Sequence, residues 1–152
     1  PKPLAYLNEK DSNNSYNINL SVEILPENAD EATVVCETNF KYMYWSMAQQ
    51  LTHHTIAGCN VQVGDLMGSG TISGPTEDAY GSLLELTWNT TKPLTLSNGE
   101  KRGFLQDGDR VVMKGYCEKA GIRVGFGEVA NSILPARQFS FHQTEDLSYE
   151  TV

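Results

Sequence analysis

The sequence predicts one α+β domain, a β-rich mixed sheet with one long amphipathic helix packed on it. Three observations carry that expectation. Apolar residues fall at every second position from Tyr16 to Ile24. The period then changes to three and four across Phe40, Met43, Tyr44, Met47, Ala48 and Leu51. Beyond Asn60, short β-branched runs are punctuated by Gly-Asp and Asn-Gly turns. Strand side chains alternate between two faces, whereas helix side chains return to one face about every 3.6 residues, so each period specifies its own element.

Asp-Ser-Asn-Asn-Ser at 11–15 reads as a loop. Tyr16, Ile18, Leu20, Val22 and Ile24 alternate with Asn17, Asn19, Ser21 and Glu23, which predicts a strand with one buried face. Pro26-Glu27-Asn28-Ala29-Asp30 turns the chain, and Thr33-Val34-Val35-Cys36 returns as its hairpin partner. Asn39 is a good N-cap and Gly58 a good C′ residue. The spacing between them predicts a helix of about four to five turns. Tyr42 and Trp45 lie off the apolar stripe, so more than one face of that helix is expected to be covered. After Asn60 the chain reads as mainly β. Leu84, Leu86 and Trp88 alternate with Glu85 and Thr87, which predicts another strand. Asn98-Gly99 predicts a two-residue hairpin turn. Asp107-Gly108-Asp109 leads into Arg110-Val111-Val112-Met113, and a last strand is expected at 122–127.

The composition excludes several function classes. The 152 residues are 39% hydrophobic, enough for one stable core and too apolar for a disordered chain. No run approaches the ~20 apolar residues of a membrane helix, so no membrane partner is expected. A net charge of −8 argues against a nucleic-acid partner, which calls for a basic stripe. Cys36, Cys59 and Cys117 show no C-x-x-C spacing, which predicts reduced thiols in a cytoplasmic protein. Pro1 to Leu7 carry no basic region followed by an apolar stretch, so no secretory signal is visible. The opening Pro1-Lys2-Pro3, without Met, predicts a segment of a longer protein. Residues 1–136 are expected to form the domain and 137–152 a polar surface tail.

Few residues suggest chemistry. His53 and His54 are adjacent, so on a helix they point about 100° apart and do not grip one ligand together. They suit a helix C-terminus instead. The Gly-rich run Gly68-Ser69-Gly70-Thr71-Ile72-Ser73-Gly74 lacks the Gly-Lys-[Ser/Thr] of a phosphate loop. It fits either a tight turn or a ligand-binding loop. Glu85 sits among leucines. On a strand it faces away from Leu84, Leu86 and Trp88, toward solvent or toward a covered face where it needs a partner. Such a carboxylate can orient a histidine. Asp65, Asp107 and Asp109 read as solvated turns, since Asp107-Gly108-Asp109 is too short for a calcium loop. Phe40, Tyr42, Tyr44 and Trp45 read as core rather than as a stacking platform.

A set of longer strings adds to this. Asn39-Phe40-Lys41-Tyr42-Met43-Tyr44-Trp45, Gln49-Gln50-Leu51-Thr52-His53-His54, Gly58-Cys59-Asn60, Gly64-Asp65-Leu66 and Ser69-Gly70-Thr71-Ile72-Ser73-Gly74 closely resemble the fumarylacetoacetase (fumarylacetoacetate hydrolase) family. So do Gly81-Ser82-Leu83-Leu84-Glu85-Leu86, Phe104-Leu105, Asp107-Gly108-Asp109, Gly115-Tyr116-Cys117 and Val124-Gly125-Phe126-Gly127. The resemblance runs over about residues 1–136 and implies the C-terminal portion of that family's β-sandwich roll. It implies a cytoplasmic, metal-dependent homodimer that hydrolyses a carbon–carbon bond in 4-fumarylacetoacetate. The products are fumarate and acetoacetate, in the last step of phenylalanine and tyrosine breakdown. The substrate is a small diketo acid, and the cation is Mg²⁺ or Ca²⁺.

By the same resemblance, Thr71 matches the threonine that contacts substrate, and Glu85 matches the glutamate that pairs with the catalytic histidine. The family's histidine, lysine and metal-binding carboxylates have no matching motif here, so no metal ligand is assigned to this chain. They are expected in an N-terminal remainder, and the segment alone is expected to be inactive. His53 and His54 belong to the helix motif and not to the base. Two other functions fit the same strings: hydrolysis of a related acylpyruvate, or a non-catalytic binding or assembly module.

Overall fold

Asn19–Leu25 (β1) and Thr33–Asn39 (β2) form an antiparallel hairpin, with Asn19 opposite Asn39 and Ile24 opposite Thr33. A bulge between Val22 and Glu23 shifts its register. In this computed structural model, which describes residues 2–9 and 15–137, the other edge of β1 pairs with a later strand, Arg110–Lys119. The tail from residue 138 and all of the 11–15 loop except Ser15 lie outside the described residues. Leu94–Thr95 (β3) and Lys101–Arg102 (β4) make a small separate hairpin. Arg110–Lys119 is therefore β5, and Ile122–Ser132 is β6. The main sheet runs β2-β1-β5-β6, with every pair antiparallel. Lys119 pairs with Ile122, so Ala120 and Gly121 make the whole turn, and both take the positive φ that such two-residue hairpins need.

The core lies where the sheet meets β3 and the segment before it. Ile24, Val35 and Leu96 are buried there, with Val22, Leu83 and Leu94 packed against them. Each such side chain contributes about 1.5–3 kcal/mol on burial. Much apolar surface stays outside this core. Val63 and Leu66 are fully exposed, and Ile122, Val124, Phe126 and Val129 are exposed along β6.

The α+β class holds, while several elements differ from the sequence expectation. The helix predicted from Asn39 to Gly58 is interrupted. Asn39 does cap a turn, its side-chain Oδ1 accepting from Lys41 N–H, but only a 3-10 turn at Phe40–Tyr42 follows. The Asn39 amide nitrogen is committed elsewhere, donating to Asn17 and Asn19. Met43 then goes extended. Ser46 restarts the helix with a reciprocal cap to Gln49, giving Met47–Ile56 (α1), and Gly58 follows with φ +91°. Phe40 is buried, but Tyr42, Tyr44 and Trp45 are exposed rather than core.

The strand expected at Leu84–Trp88 is a helical turn, Leu83–Leu86 (α2). Local hydrogen bonds override the alternation. Ser82 Oγ accepts from Glu85 N–H, and buried Thr87 Oγ1 donates to Leu83 C=O and accepts from Thr90 N–H. Trp88, Asn89 and Thr90 then take positive φ, which no strand allows. Residues 60–82 carry no strand, so the β-rich reading holds only from Leu94 onward. The Asn98-Gly99 hairpin forms around three residues, not two. Leu96 and Glu100 close it, and Gly99 sits at φ +85°.

Candidate active site

The Gly-rich loop lies alongside the segment that leads into α2. Gly74 N–H donates to Ala79 C=O at 2.7 Å. Gly81 presses against Ile72 so closely that a Cβ there would sit 2.5 Å from the Ile72 carbonyl oxygen. Ser73 ties the two stretches together. Its Oγ accepts from Gly81 N–H at 3.1 Å and donates to Glu85 Oε2 at 2.6 Å. Ser82 Oγ reaches the same carboxylate oxygen at 3.4 Å.

Glu85 is therefore on the first turn of a short helix, not on a strand. It is exposed and held by two hydroxyls. Thr71 is exposed on the loop, two residues before Ser73. A small apolar cleft opens beside this pair of stretches, lined in part by Cys36, Tyr80, Gly81, Ser82 and Leu83. Burial pushes the Cys36 thiol above its ordinary range, and the negative charges of Asp78, Glu37 and Glu85 add to the effect. A raised thiol is a poor nucleophile, so Cys36 is wall rather than reagent.

The other carboxylates separate by environment. Asp65 is an exposed turn residue that accepts from Gln62 N–H at 2.8 Å. Asp109, expected to be solvated, is buried at 1% exposure. Arg102 Nε and Nη2 grip its two oxygens at 2.9 and 3.0 Å, and Gln106 N–H donates to Oδ2. Burial alone would raise the Asp109 carboxyl. The Arg102 hydrogen bonds, the Gln106 N–H and the guanidinium charge outweigh it and hold the group below the usual carboxylate range. The same contact, joined by an ion pair with Glu100 at 2.6 Å and opposed by burial, raises Arg102 above its ordinary value. The sequence reading missed this pair because Asp-Gly-Asp is a common solvated turn, and nothing local points to Arg102.

His53, in the last turn of α1, lies beside Tyr6, whose hydroxyl is 3.0 Å from its Nδ1. Among the described residues no group of three or more His, Cys, Asp and Glu converges on a point where a metal could sit. These residues do not fit a metal centre, and no step is assigned to one. Ser73, Gly81 and Ser82 are the site residues that the sequence reading missed. A signal for Ser82 was present, since Ser82-Leu83-Leu84-Glu85 has the Ser-x-x-Glu spacing of a helix start. The period-two alternation of Leu84, Leu86 and Trp88 masked it.

The structure thus presents an antiparallel α+β scaffold with a hydroxyl-held carboxylate at the edge of a glycine-rich loop. The chain belongs to the fumarylacetoacetate hydrolase family: residues 5–134 match the family model described as "Fumarylacetoacetate (FAA) hydrolase C-terminal". It is 53% identical over 136 residues to a protein of Homo sapiens named fumarylacetoacetase, covering 90% of this chain and 32% of the relative. Fumarylacetoacetases of Arabidopsis thaliana and Caenorhabditis elegans are each 52% identical over the same length, again across 90% of this chain and 32% of theirs. The chain spans about a third of the length of these curated relatives.

Proposed function

We propose that this chain is the C-terminal portion of an enzyme that hydrolyses the carbon–carbon bond of 4-fumarylacetoacetate to fumarate and acetoacetate. The observation that carries the reading is the placement of Glu85. Its carboxylate is exposed, held by neutral hydroxyls, and linked through Ser73 to the loop bearing Thr71, in a chain about half identical to fumarylacetoacetases. In this reading Glu85 accepts a hydrogen bond from a histidine elsewhere in the protein and holds its ring in the orientation of a general base. The base takes a proton from water. The resulting hydroxide attacks the substrate carbonyl, and the bond to the acetoacetate carbon breaks. That carbon regains a proton, so one water is consumed and two acids leave. The Thr71 hydroxyl donates to a substrate oxygen and fixes the diketo acid against the loop.

The reading includes a divalent cation, Mg²⁺ or Ca²⁺, with its ligands outside the described residues. It also includes a cytoplasmic homodimer in which the rest of the protein covers the apolar surface along β6 and around Val63 and Leu66.

The test uses the purified full-length protein with fumarylacetoacetate, followed by loss of substrate absorbance and by chromatography of the products. Stoichiometric fumarate and acetoacetate are expected. Faster turnover of a simpler acylpyruvate would move the substrate. No turnover of either, by protein that is folded and supplied with Mg²⁺ or Ca²⁺, would overturn the enzymatic reading in favour of a binding or assembly module.

A further inference from the structure

We propose that Ser73 is the positioning residue for Glu85: it fixes which carboxylate oxygen is available to the histidine and couples that oxygen to the Thr71 loop. The inference rests on the function proposed above. A serine hydroxyl has one proton and two lone pairs. Gly81 N–H occupies a lone pair of Ser73 Oγ, so the one proton is directed to Glu85 Oε2. The 2.6 Å separation is that of a charge-assisted O–H···O⁻ bond, which favours the ionised carboxylate. Ser82, the second hydroxyl, approaches the same oxygen at the longer distance of 3.4 Å. Both donors thus gather on Oε2, and Oε1 is the oxygen left to accept from an imidazole N–H.

The arrangement depends on backbone that no other residue permits. Gly81 has no Cβ, so its N–H can stand against the Ile72 backbone and reach the Ser73 side chain. A displacement of Ser73 therefore moves Glu85 and the 69–74 loop together. Without Ser73, the exposed Glu85 side chain samples several rotamers, and the oriented histidine loses its fixed acceptor.

Four forms of the full-length enzyme test this: wild type, Ser73→Ala, Glu85→Gln and the double variant, with Ser73→Thr as the conservative control. Ser73→Ala is expected to lower kcat about 10- to 100-fold, as loss of a hydrogen bond to a charged group does. KM stays within about threefold, and Ser73→Thr recovers most of kcat. In the Glu85→Gln background the same Ser73→Ala change is expected to alter kcat less than about twofold, because its effect passes through Glu85. If Ser73→Ala does not fold, Ser73→Cys replaces it in the same cycle. A Ser73→Ala kcat within twofold of wild type, or a full additive loss in the Glu85→Gln background, overturns the inference. Wild-type turnover by Glu85→Gln would instead overturn the role proposed for Glu85 itself.

Discussion

Asp109 and Glu85 both stand at the start of a regular element, and the chain treats them in opposite ways. Asp109 opens β5 from inside the protein, with a guanidinium across both oxygens and a backbone N–H on one of them. Glu85 lies in the first turn of α2, exposed, with hydroxyls gathered on one oxygen. The first carboxylate has its cation within the fold and nothing left to offer. The second is oriented but not neutralised. A buried carboxylate with a dedicated arginine stabilises structure, because breaking the pair leaves a charge stranded in the interior. An exposed carboxylate fixed by neutral donors keeps its charge for a partner that arrives from elsewhere. The contrast teaches that a carboxylate left available to a partner is marked less by burial than by the kind of group that holds it.

That contrast can be broken by substitution. In the full-length protein, the proposed role of Glu85 predicts that Glu85→Gln lowers kcat by about two to four orders of magnitude, the loss expected when a residue orienting a general base is changed. Its thermal midpoint should hardly move, since the side chain is exposed; steady-state kinetics and a melting curve on one preparation check both. Asp109→Ala is expected to do the reverse. Arg102 keeps its ion pair with the more exposed Glu100 at 2.6 Å, so losing the buried partner costs about 1.5–3 kcal/mol in urea unfolding, while kcat per folded molecule at low temperature is kept.

The pair also carries a pH signature. Its carboxyl is depressed in the folded state. Its contribution is therefore fully present above the unfolded carboxyl value of about 4 and is lost as pH falls through the lower folded value. The stability gap between wild type and Asp109→Ala should narrow as unfolding is repeated at progressively lower pH.

Gly81→Ala lies between these extremes. Its Cβ would meet Ile72 backbone atoms at 2.5–2.7 Å, so the loop must shift. A stability loss of about 1–3 kcal/mol is expected, with a rise in KM through Thr71 that Asp109→Ala does not produce. The smallest effect is on thiol reactivity. Near pH 8, Cys59, which is exposed, should be alkylated well before Cys36, which burial and nearby negative charge keep protonated. Peptide mapping after a short iodoacetamide pulse reads the order directly.

What was legible in the sequence follows how local each signal is. The β1–β2 hairpin, the strands that open at Arg110 and Ile122, and the turns at Gly99 and Gly108 were readable because β-branched runs and turn residues act over a few positions. The interrupted helix was not. Phe40 to Leu51 keep a helical spacing, yet Asn39 spends its amide on Asn17 and Asn19, and Ser46 caps a fresh start. The Asn39 choice depends on residues 20 and 22 positions away, whereas Ser46 caps locally through Gln49. The Leu84 stretch failed for a different reason, since two periods overlap there and hydrogen bonds from Ser82 and Thr87 select the helical one. Of the candidate site, Glu85 and the 68–74 loop stood out from the residues alone, and the family resemblance supplied the roles expected of Glu85 and Thr71. Ser73 and Gly81 needed the fold, because their partners are 8 to 12 residues away across a loop.

The most direct test of the central claim, that Glu85 orients a histidine base, is the pH dependence of kcat for fumarylacetoacetate in the wild-type and Glu85→Gln full-length enzymes. A nearby carboxylate favours the charged imidazolium, so removing its charge makes the histidine a weaker base. The account predicts a much lower plateau together with an acidic limb moved to lower pH. A Glu85→Gln profile with the wild-type plateau and an unmoved acidic limb would contradict it.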